Sequence, residues 1–436
     1  MTNRSTTLIA ILLVFACFAL STRARAVSPG PDGCYPAFTT AEGCNALAFL
    51  TTGIGNTGIG WYSLFSVSSN SFNTGVGAGA LALNNADSNT ALGAEAMLLN
   101  TSGFENVANG TDALLNNASG SYNDAVGAFA LLHNIDGSSN NAFGNAALSQ
   151  NRYAGDNTAI GDFTLANNDV TENNAAYFNT AVGAQALFSN TDGNSNTAVG
   201  WEALYFNDTG NFNIANGGFT LFSNIDGGEN TATGYGALLN NTGGSFNTAI
   251  GGYAGTDVFT ASNVTCVGAG VAGEDVSNTT WIGNVFGVTT QSGTTMPVIV
   301  SDTGQLGTPA SSERFKKDIA TMEKASETIL ALRPVTFHYK SDTKETPQFG
   351  LVAEEVAKVN PALVLPDKEG KPYTVRYDAV NAMLLNEFLK EHRKNEEQEA
   401  TIALLQNQIE TLTAGLQKMN SRLEAIKPAP QLVNNP

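Results

Sequence analysis

Residues 179–195 read NTAVGAQALFSNTDGNS, and the pentad NTAVG returns at residues 196–200. Related units follow one another along the chain, and nine of the eleven intervals between their starts are 17 residues long. Glycine stands four residues after all twelve starts, and leucine stands eight residues after ten of them. The starts are Asn56, Asn73, Asn89, Asn106, Asn123, Asn140, Asn157, Asn179, Asn196, Asn213, Asn230 and Asn247. A period of this length predicts a stack of repeated structural units over residues 53–256.

Each unit is too short for a pair of helices and suits a coil of short strands joined by tight turns. The glycine supplies a positive φ or a close approach of two backbones, and Asn-x-x-Gly, as at residues 190–193, supplies a second corner. The leucine fills a buried layer, and the asparagines can form a side-chain ladder when coils stack. One interval of 22 residues predicts a bulge around Thr171–Ala175. The predicted fold class is mainly β, a repetitive parallel β-roll or solenoid fibre, followed by a small α+β domain and a C-terminal coiled coil.

The Asn-Thr-Ala-x-Gly pentads resemble the repeats in the heads of trimeric autotransporter adhesins. In that family three chains each form a left-handed β-roll and pack around one axis, so the resemblance implies a homotrimer. The unit of this chain is longer than the usual head repeat, and a monomeric β-solenoid stays the structural alternative.

Charge is distributed very unevenly. Residues 27–310 contain 21 acidic residues and a single basic one, Arg152, whereas residues 311–436 contain 18 acidic and 17 basic residues. This change in charge indicates a boundary between two parts of the chain that differ in composition and physical character. The acidic part would repel phosphate backbones, which argues against nucleic acid as a partner. Its acids are scattered, which disfavours a glycan-cleaving groove, and its Asp-Gly turns lack a regular calcium-binding pattern.

The first 26 residues have the pattern of an export signal. Arg4 precedes the apolar run Leu8–Leu20, and Ala24-Arg25-Ala26 fits a small-x-small cleavage site. The run is short for a membrane span, although an uncleaved anchor is the alternative. No second apolar stretch of spanning length follows, so we expect a mature chain without a membrane span, secreted or on a bacterial cell surface.

The N-terminal segment, residues 27–52, contains Cys34 and Cys44, which could close a small loop after export. Cys266 then stays unpaired. The cysteines and histidines show no metal-ligand spacing, so we expect no metal and no cofactor.

After a β-rich neck and linker over residues 257–310, the composition changes at Ser311. The stretch 311–319 reads SSERFKKDI, and by itself it predicts a helix with Ser311 as its N-cap that runs to Leu332. Further landmarks follow in order, namely Leu-x-Pro-x-x-Phe-x-Tyr (Leu332 to Tyr339), GLVAEEV (350–356) with Pro361, and Val375-x-Tyr377. Over residues 311–393 this order resembles the intramolecular chaperone domain of phage tailspikes and endosialidases, the S74 peptidase family.

The S74 resemblance implies that the chain cuts itself once at the Ala310–Ser311 bond, with Ser311 as nucleophile and Lys316 as base. A lysine accepts a proton only when neutral, which requires burial or a nearby cation. Many relatives carry aspartate at the second position, where this chain has Ser312. A chaperone domain that caps the trimer without cleavage is the alternative.

The last predicted element is a coiled coil over residues 394–427, before a disordered tail at 428–436. Apolar residues alternate three and four apart, which is a heptad seam, and they are Ile402, Leu405, Ile409, Leu412, Leu416, Met419, Leu423 and Ile426. An amphipathic helix folded back on its own domain is the alternative. The sequence thus predicts a secreted trimeric fibre or adhesin with a self-cleaving chaperone, whose partners are its own copies and a cell-surface or glycan ligand.

Overall fold

The computed structural model describes residues 36–426 as two compact units, of which the first ends at Gln291 and the second begins at Ser292. The predicted signal peptide, Cys34 and the predicted tail lie outside the described residues, so these assignments and the Cys34–Cys44 pairing stay predictions.

The first unit begins with a short 3-10 helix, Pro36–Phe38, and is then built around one parallel sheet of fifteen strands in chain order. Each strand is three residues long and pairs with the corresponding strand of the next coil, as Thr180 with Thr197 and Ala181 with Ala198. The strands are β1 Thr40–Glu42, β2 Thr57–Ile59, β3 Thr74–Val76, β4 Thr90–Leu92, β5 Val107–Asn109, β6 Asp124–Val126, β7 Asn141–Phe143, β8 Thr158–Ile160, β9 Thr180–Val182, β10 Thr197–Val199, β11 Ile214–Asn216, β12 Thr231–Thr233, β13 Thr248–Ile250, β14 Thr265–Val267 and β15 Thr280–Ile282. The predicted β-solenoid is confirmed.

The core of the solenoid is a narrow column of alanine and leucine. The middle residue of a strand points inward, and Ala181 and Ala198 are fully buried. The repeated leucines, such as Leu187 and Leu204, are fully buried as well and lie in the same cluster. The predicted leucine layer is therefore confirmed, and each coil buries its apolar face only because another coil lies beside it.

Two ladders of buried asparagines run beside this column. In the first, the amide N–H of Asn196 donates to Oδ1 of Asn179 at 3.0 Å, and the same contact recurs from coil to coil. In the second, Nδ2 of Asn207 donates to Oδ1 of Asn190 at 2.8 Å and to the carbonyl of Gly210 at 3.0 Å. The predicted ladder is present, and the Asn-x-x-Gly corner adds a second one.

The corners of a coil use left-handed backbone conformations. Gly217 has φ 136°, and a Cβ there would lie 2.8 Å from the carbonyl of Gly234 in the next coil, so positive φ and close approach both apply. The buried leucines also have positive φ, as Leu204 with φ 54°. That conformation costs a leucine about 1–2 kcal/mol, and burial of its side chain, worth about 1.5–3 kcal/mol, offsets the cost.

The sheet extends beyond the predicted repeat segment at both ends. Strand β1 precedes residue 53, and β14 and β15 follow residue 256. These outer coils carry Thr39, Val264 and Thr279 where the repeat has its first asparagine. These coils therefore lack the asparagine that marks the start of a unit in the sequence, although their strands pair in register with the rest of the sheet.

The second unit contains three small antiparallel ribbons, short helices and one long helix. The strands are β16 Ile299–Val300, β17 Leu306–Gly307, β18 Val335–Phe337, β19 Gln348–Gly350, β20 Val364–Pro366 and β21 Pro372–Val375, paired in that order. The α-helices are α1 Ala353–Val359 and α2 Tyr377–Ile426, and 3-10 helices cover Glu313–Phe315, Glu323–Ala331 and Pro361–Leu363. Val356, Leu363 and Val375 form its buried centre.

Candidate active site

The serine and lysine that the sequence singles out lie together. Ser311 precedes the 3-10 turn Glu313–Phe315, and Lys316 ends this turn in an extended conformation. The turn brings Nζ of Lys316 to 3.1 Å from Oγ of Ser311. This is the distance at which a neutral amine can accept the proton of a hydroxyl group.

The surroundings of this pair are open in the single chain. Ala310, Ser311 and Lys316 are exposed. Two apolar side chains of the same segment are exposed too, Phe315 at 65% and Ile319 at 63%. Arg314 lies against the ring of Phe315, with its guanidinium 4.7 Å from the ring centre.

The helix that residues 311–319 predict on their own does not form. The turn at Glu313–Phe315 has Ser312 as its N-cap without a side-chain hydrogen bond, and the next helical segment starts only at Glu323. The predicted linker contains secondary structure as well. Gly304, with φ 86°, lies in the turn of a hairpin between β16 and β17. Residues 308–312 belong to no helix or strand and are exposed, so the Ala310–Ser311 bond is accessible.

The other landmarks of the motif meet in space. Tyr377 at the start of α2 accepts the N–H of Leu351 on its Oη at 3.0 Å. A Cβ on Gly350 would lie 2.8 Å from the same oxygen, which explains why glycine precedes Leu351. Within the landmark Leu332 to Tyr339, β18 covers Val335–Phe337, and α1 begins at Ala353 inside the landmark GLVAEEV. The motif residues therefore build the packing of the module rather than its chemistry.

A partly buried polar cluster joins the 3-10 helix Glu323–Ala331 to α2. Ser326 is fully buried, donates from Oγ to Glu387, and accepts Nδ2 of Asn386 at 2.7 Å. Lys390 donates to Glu387 at 2.8 Å. Hydrogen bonds from Lys390 and Ser326 lower the pKa of Glu387, and its carboxylate raises the pKa of Lys390. Sequence reasoning missed this cluster because its members are about 60 residues apart and form no motif.

The heptad seam lies on the second half of α2. All eight seam residues are at least half exposed, from Leu405 at 50% to Ile426 at 77%. The helix continues without a break from Tyr377 to Ile426. The seam residues therefore do not pack against the rest of the described chain, which disfavours the alternative in which this part of the helix folds back on its own domain.

A row of aromatic rings lies on the surface of the solenoid. Phe188, Tyr205 and Phe222 occupy the same position of three successive coils, with ring centres 5.1 and 5.4 Å apart and interplanar angles of 8° and 22°. A shallow groove of about 390 Å³ adjoins Phe222, and its lining includes Ser223, Tyr235, Asn240 and Tyr253. Aromatic walls with a few polar groups are typical of ligand sites.

The fold and the pair together define a β-solenoid fibre that carries a small module with a serine and a lysine in contact. Residues 311–365 match the model of the S74 peptidase family, described as chaperone of endosialidase. The predicted resemblance of the C-terminal module is thereby confirmed over these residues, which include Ser311 and Lys316. The chain matches no curated protein and no solved structure. Among the helices within residues 36–426, none has the length and hydropathy needed to cross a bilayer.

Proposed function

We propose that this chain is a secreted trimeric fibre whose C-terminal module aligns three copies and then cuts itself off between Ala310 and Ser311. The observation that carries the proposal is the 3.1 Å contact of Lys316 Nζ with Ser311 Oγ, directly after the bond to be cut. A serine and a lysine in contact on a surface do not by themselves indicate catalysis. The family match over residues 311–365 supports a catalytic role for this pair.

The reaction starts when Oγ of Ser311 attacks the carbonyl carbon of Ala310. The hydroxyl proton passes to neutral Lys316, a C–O bond forms, and the C–N bond breaks as the amine of Ser311 takes up a proton. Water then hydrolyses the resulting ester and frees the two fragments. The attack is intramolecular, so proximity supplies much of the rate.

Assembly has a chemical role in this scheme. A lysine side chain becomes a base only when burial or a nearby cation favours its neutral form. In one copy Lys316 is exposed, with Phe315 and Ile319 uncovered beside it. Packing of further copies against these side chains would supply the cover, so cleavage follows trimer formation. This order suits a repeat fibre, since near-identical coils allow register errors and pairing of distant strands is slow.

Denaturing gels of the expressed chain test the proposal. The mature wild type should yield fragments of about 284 and 126 residues, while Ser311→Ala and Lys316→Met should stay whole. Lys368→Met, which removes an exposed lysine from a turn elsewhere in the second unit, is the matched control and should cleave normally. Cleavage in Ser311→Ala would exclude the pair, and an uncut wild-type trimer would favour the alternative of a surface adhesin with a C-terminal cap.

The aromatic row supports a second role, adhesion to a glycan ligand. Phe188, Tyr205 and Phe222 offer a row of stacked rings at coil spacing, and Ser223 and Asn240 offer hydrogen bonds at the adjoining groove. Binding to a glycan array should be lost in the double variant Tyr205→Ala and Phe222→Ala. Phe212→Ala removes a ring that is 58% exposed outside this row, and it should bind like wild type. Equal binding by all three proteins would refute the assignment.

A further inference from the structure

The outer face of the solenoid sheet has a distinctive composition. In each strand the middle side chain points inward, so the first and third point away from the core. Threonine occupies the first position in 11 of the 15 described strands, and an aliphatic or aromatic residue occupies the third position in 11. The apolar third residues are Ile59, Val76, Leu92, Val126, Phe143, Ile160, Val182, Val199, Ile250, Val267 and Ile282.

Charge is almost excluded from this face. Among its two outward positions per strand only Glu42, in the terminal strand, and Asp124 are charged. Residues 27–310 nevertheless contain 21 acidic residues, which therefore lie mostly elsewhere on the coils or outside the strands. Two copies of so acidic a segment repel each other unless they meet along an uncharged surface. The sheet face comes close to such a surface, with only these two charges along its fifteen strands.

The size of the face suits a stable interface. Neighbouring strands lie about 4.8 Å apart and each residue spans about 3.3 Å, so fifteen strands form a face about 67 Å long and 10 Å wide. This is about 700 Å² per copy, close to the roughly 800 Å² per partner of stable interfaces. In the single chain Ile160 is 44% and Ile250 48% exposed. Apolar surface of this extent on one side of a soluble chain marks an interaction site.

We infer that this sheet face is the surface through which copies of the chain associate, in parallel and with equal coils side by side. The inference rests on the proposed trimeric assembly and adds the face that it uses. A second copy of the chain is the expected occupant. Its own sheet face has the same spacing and length, so it can cover this face from end to end. The exposed seam of α2, with Leu405 and Leu412, independently requires partner helices with the same heptads.

Cross-linking of the full chain tests the face. Val199 on β10 is the test position, and Thr209 is the control, because it is exposed in the same coil but outside the sheet. Each is changed to cysteine in a chain with Cys34→Ser and Cys44→Ser, where the remaining thiol of the mature chain belongs to buried Cys266. The assembly is treated with a short bis-maleimide, and its mass is measured separately by light scattering.

In an assembly with equal coils side by side, Val199 of one copy lies near Val199 of the next. We expect about tenfold more cross-linked dimer from Val199→Cys than from Thr209→Cys, because proximity sets the rate of the second coupling. A multi-chain mass with cross-links at Thr209 and none at Val199 would overturn the face and leave the proposed assembly intact. A single-chain mass would overturn both.

Discussion

Removal of one rung of the first asparagine ladder should open the solenoid locally. The side chain of Asn196 donates from Nδ2 to Oδ1 of Asn179 at 3.3 Å and to the carbonyl of Gly210 at 2.8 Å. Its Oδ1 accepts the amide N–H of Asn213 at 2.9 Å. In Asn196→Ala the carbonyl of Gly210 keeps its bond from Asn207, but the buried N–H of Asn213 loses its acceptor.

The cost follows from these contacts. An unsatisfied buried donor costs about 1–3 kcal/mol, and each lost neutral hydrogen bond about 0.5–1.5 kcal/mol, so we expect a local loss of about 2–4 kcal/mol. Because each coil contacts only its neighbours, the loss should stay within the adjacent coils. Hydrogen exchange reports such local opening, and amides around residues 196–213 should exchange roughly 30- to 700-fold faster.

The matched control is Asn145→Ala, which removes an exposed asparagine of the same segment. Its exchange should change little, since surface substitutions of this kind usually alter stability by less than about 0.5 kcal/mol. If exchange near Asn213 is the same in both variants and in wild type, the ladder does not hold the coils together and the reasoning is wrong.

Three further predictions address other parts of the chain. Gly217→Ala should disrupt its coil, because the added Cβ would lie 2.8 Å from the carbonyl of Gly234 at φ 136°, whereas Gly218→Ala meets nothing closer than 3.4 Å and should keep wild-type exchange. Gly350→Ala should lower the melting temperature of the second unit, because its Cβ would lie 2.8 Å from Oη of Tyr377. The double variant with Tyr377→Phe lacks this oxygen and should recover part of the loss. Purely additive effects of the two substitutions would contradict this contact. In the folded chain the pKa of Glu387 lies below its ordinary value of 4.5. The contacts of its carboxylate therefore stabilise the second unit above pH 4.5, and this stabilisation is lost as the pH falls through the lowered pKa. Melting curves across pH 3–7 should therefore differ most between wild type and Glu387→Gln near neutral pH and converge in acid, and parallel curves would contradict the assignment.

The site is predictable from the sequence to the extent that it is local. Ser311 and Lys316 are five residues apart, and a single 3-10 turn is enough to join them. The cluster of Ser326 and Glu387 could not be foreseen, because it depends on how a 3-10 helix packs against α2 across 61 residues of chain. The exposure of Phe315 and Ile319 likewise appears only in the structure, because the helix that the segment predicts on its own does not form.

The repeat by itself determined the solenoid, because a strict 17-residue period with fixed glycine, leucine and asparagine positions has few ways to bury its apolar residues. It could not set the ends of the stack, since coils that start with Thr39, Val264 or Thr279 pair through backbone hydrogen bonds that need no particular side chain. Only the tertiary structure decided that Leu204 takes a left-handed conformation, because burial in the column outweighs a local preference. The tertiary structure also decided which alternate residues of each strand face outward, and so placed an almost uncharged surface along an otherwise acidic solenoid.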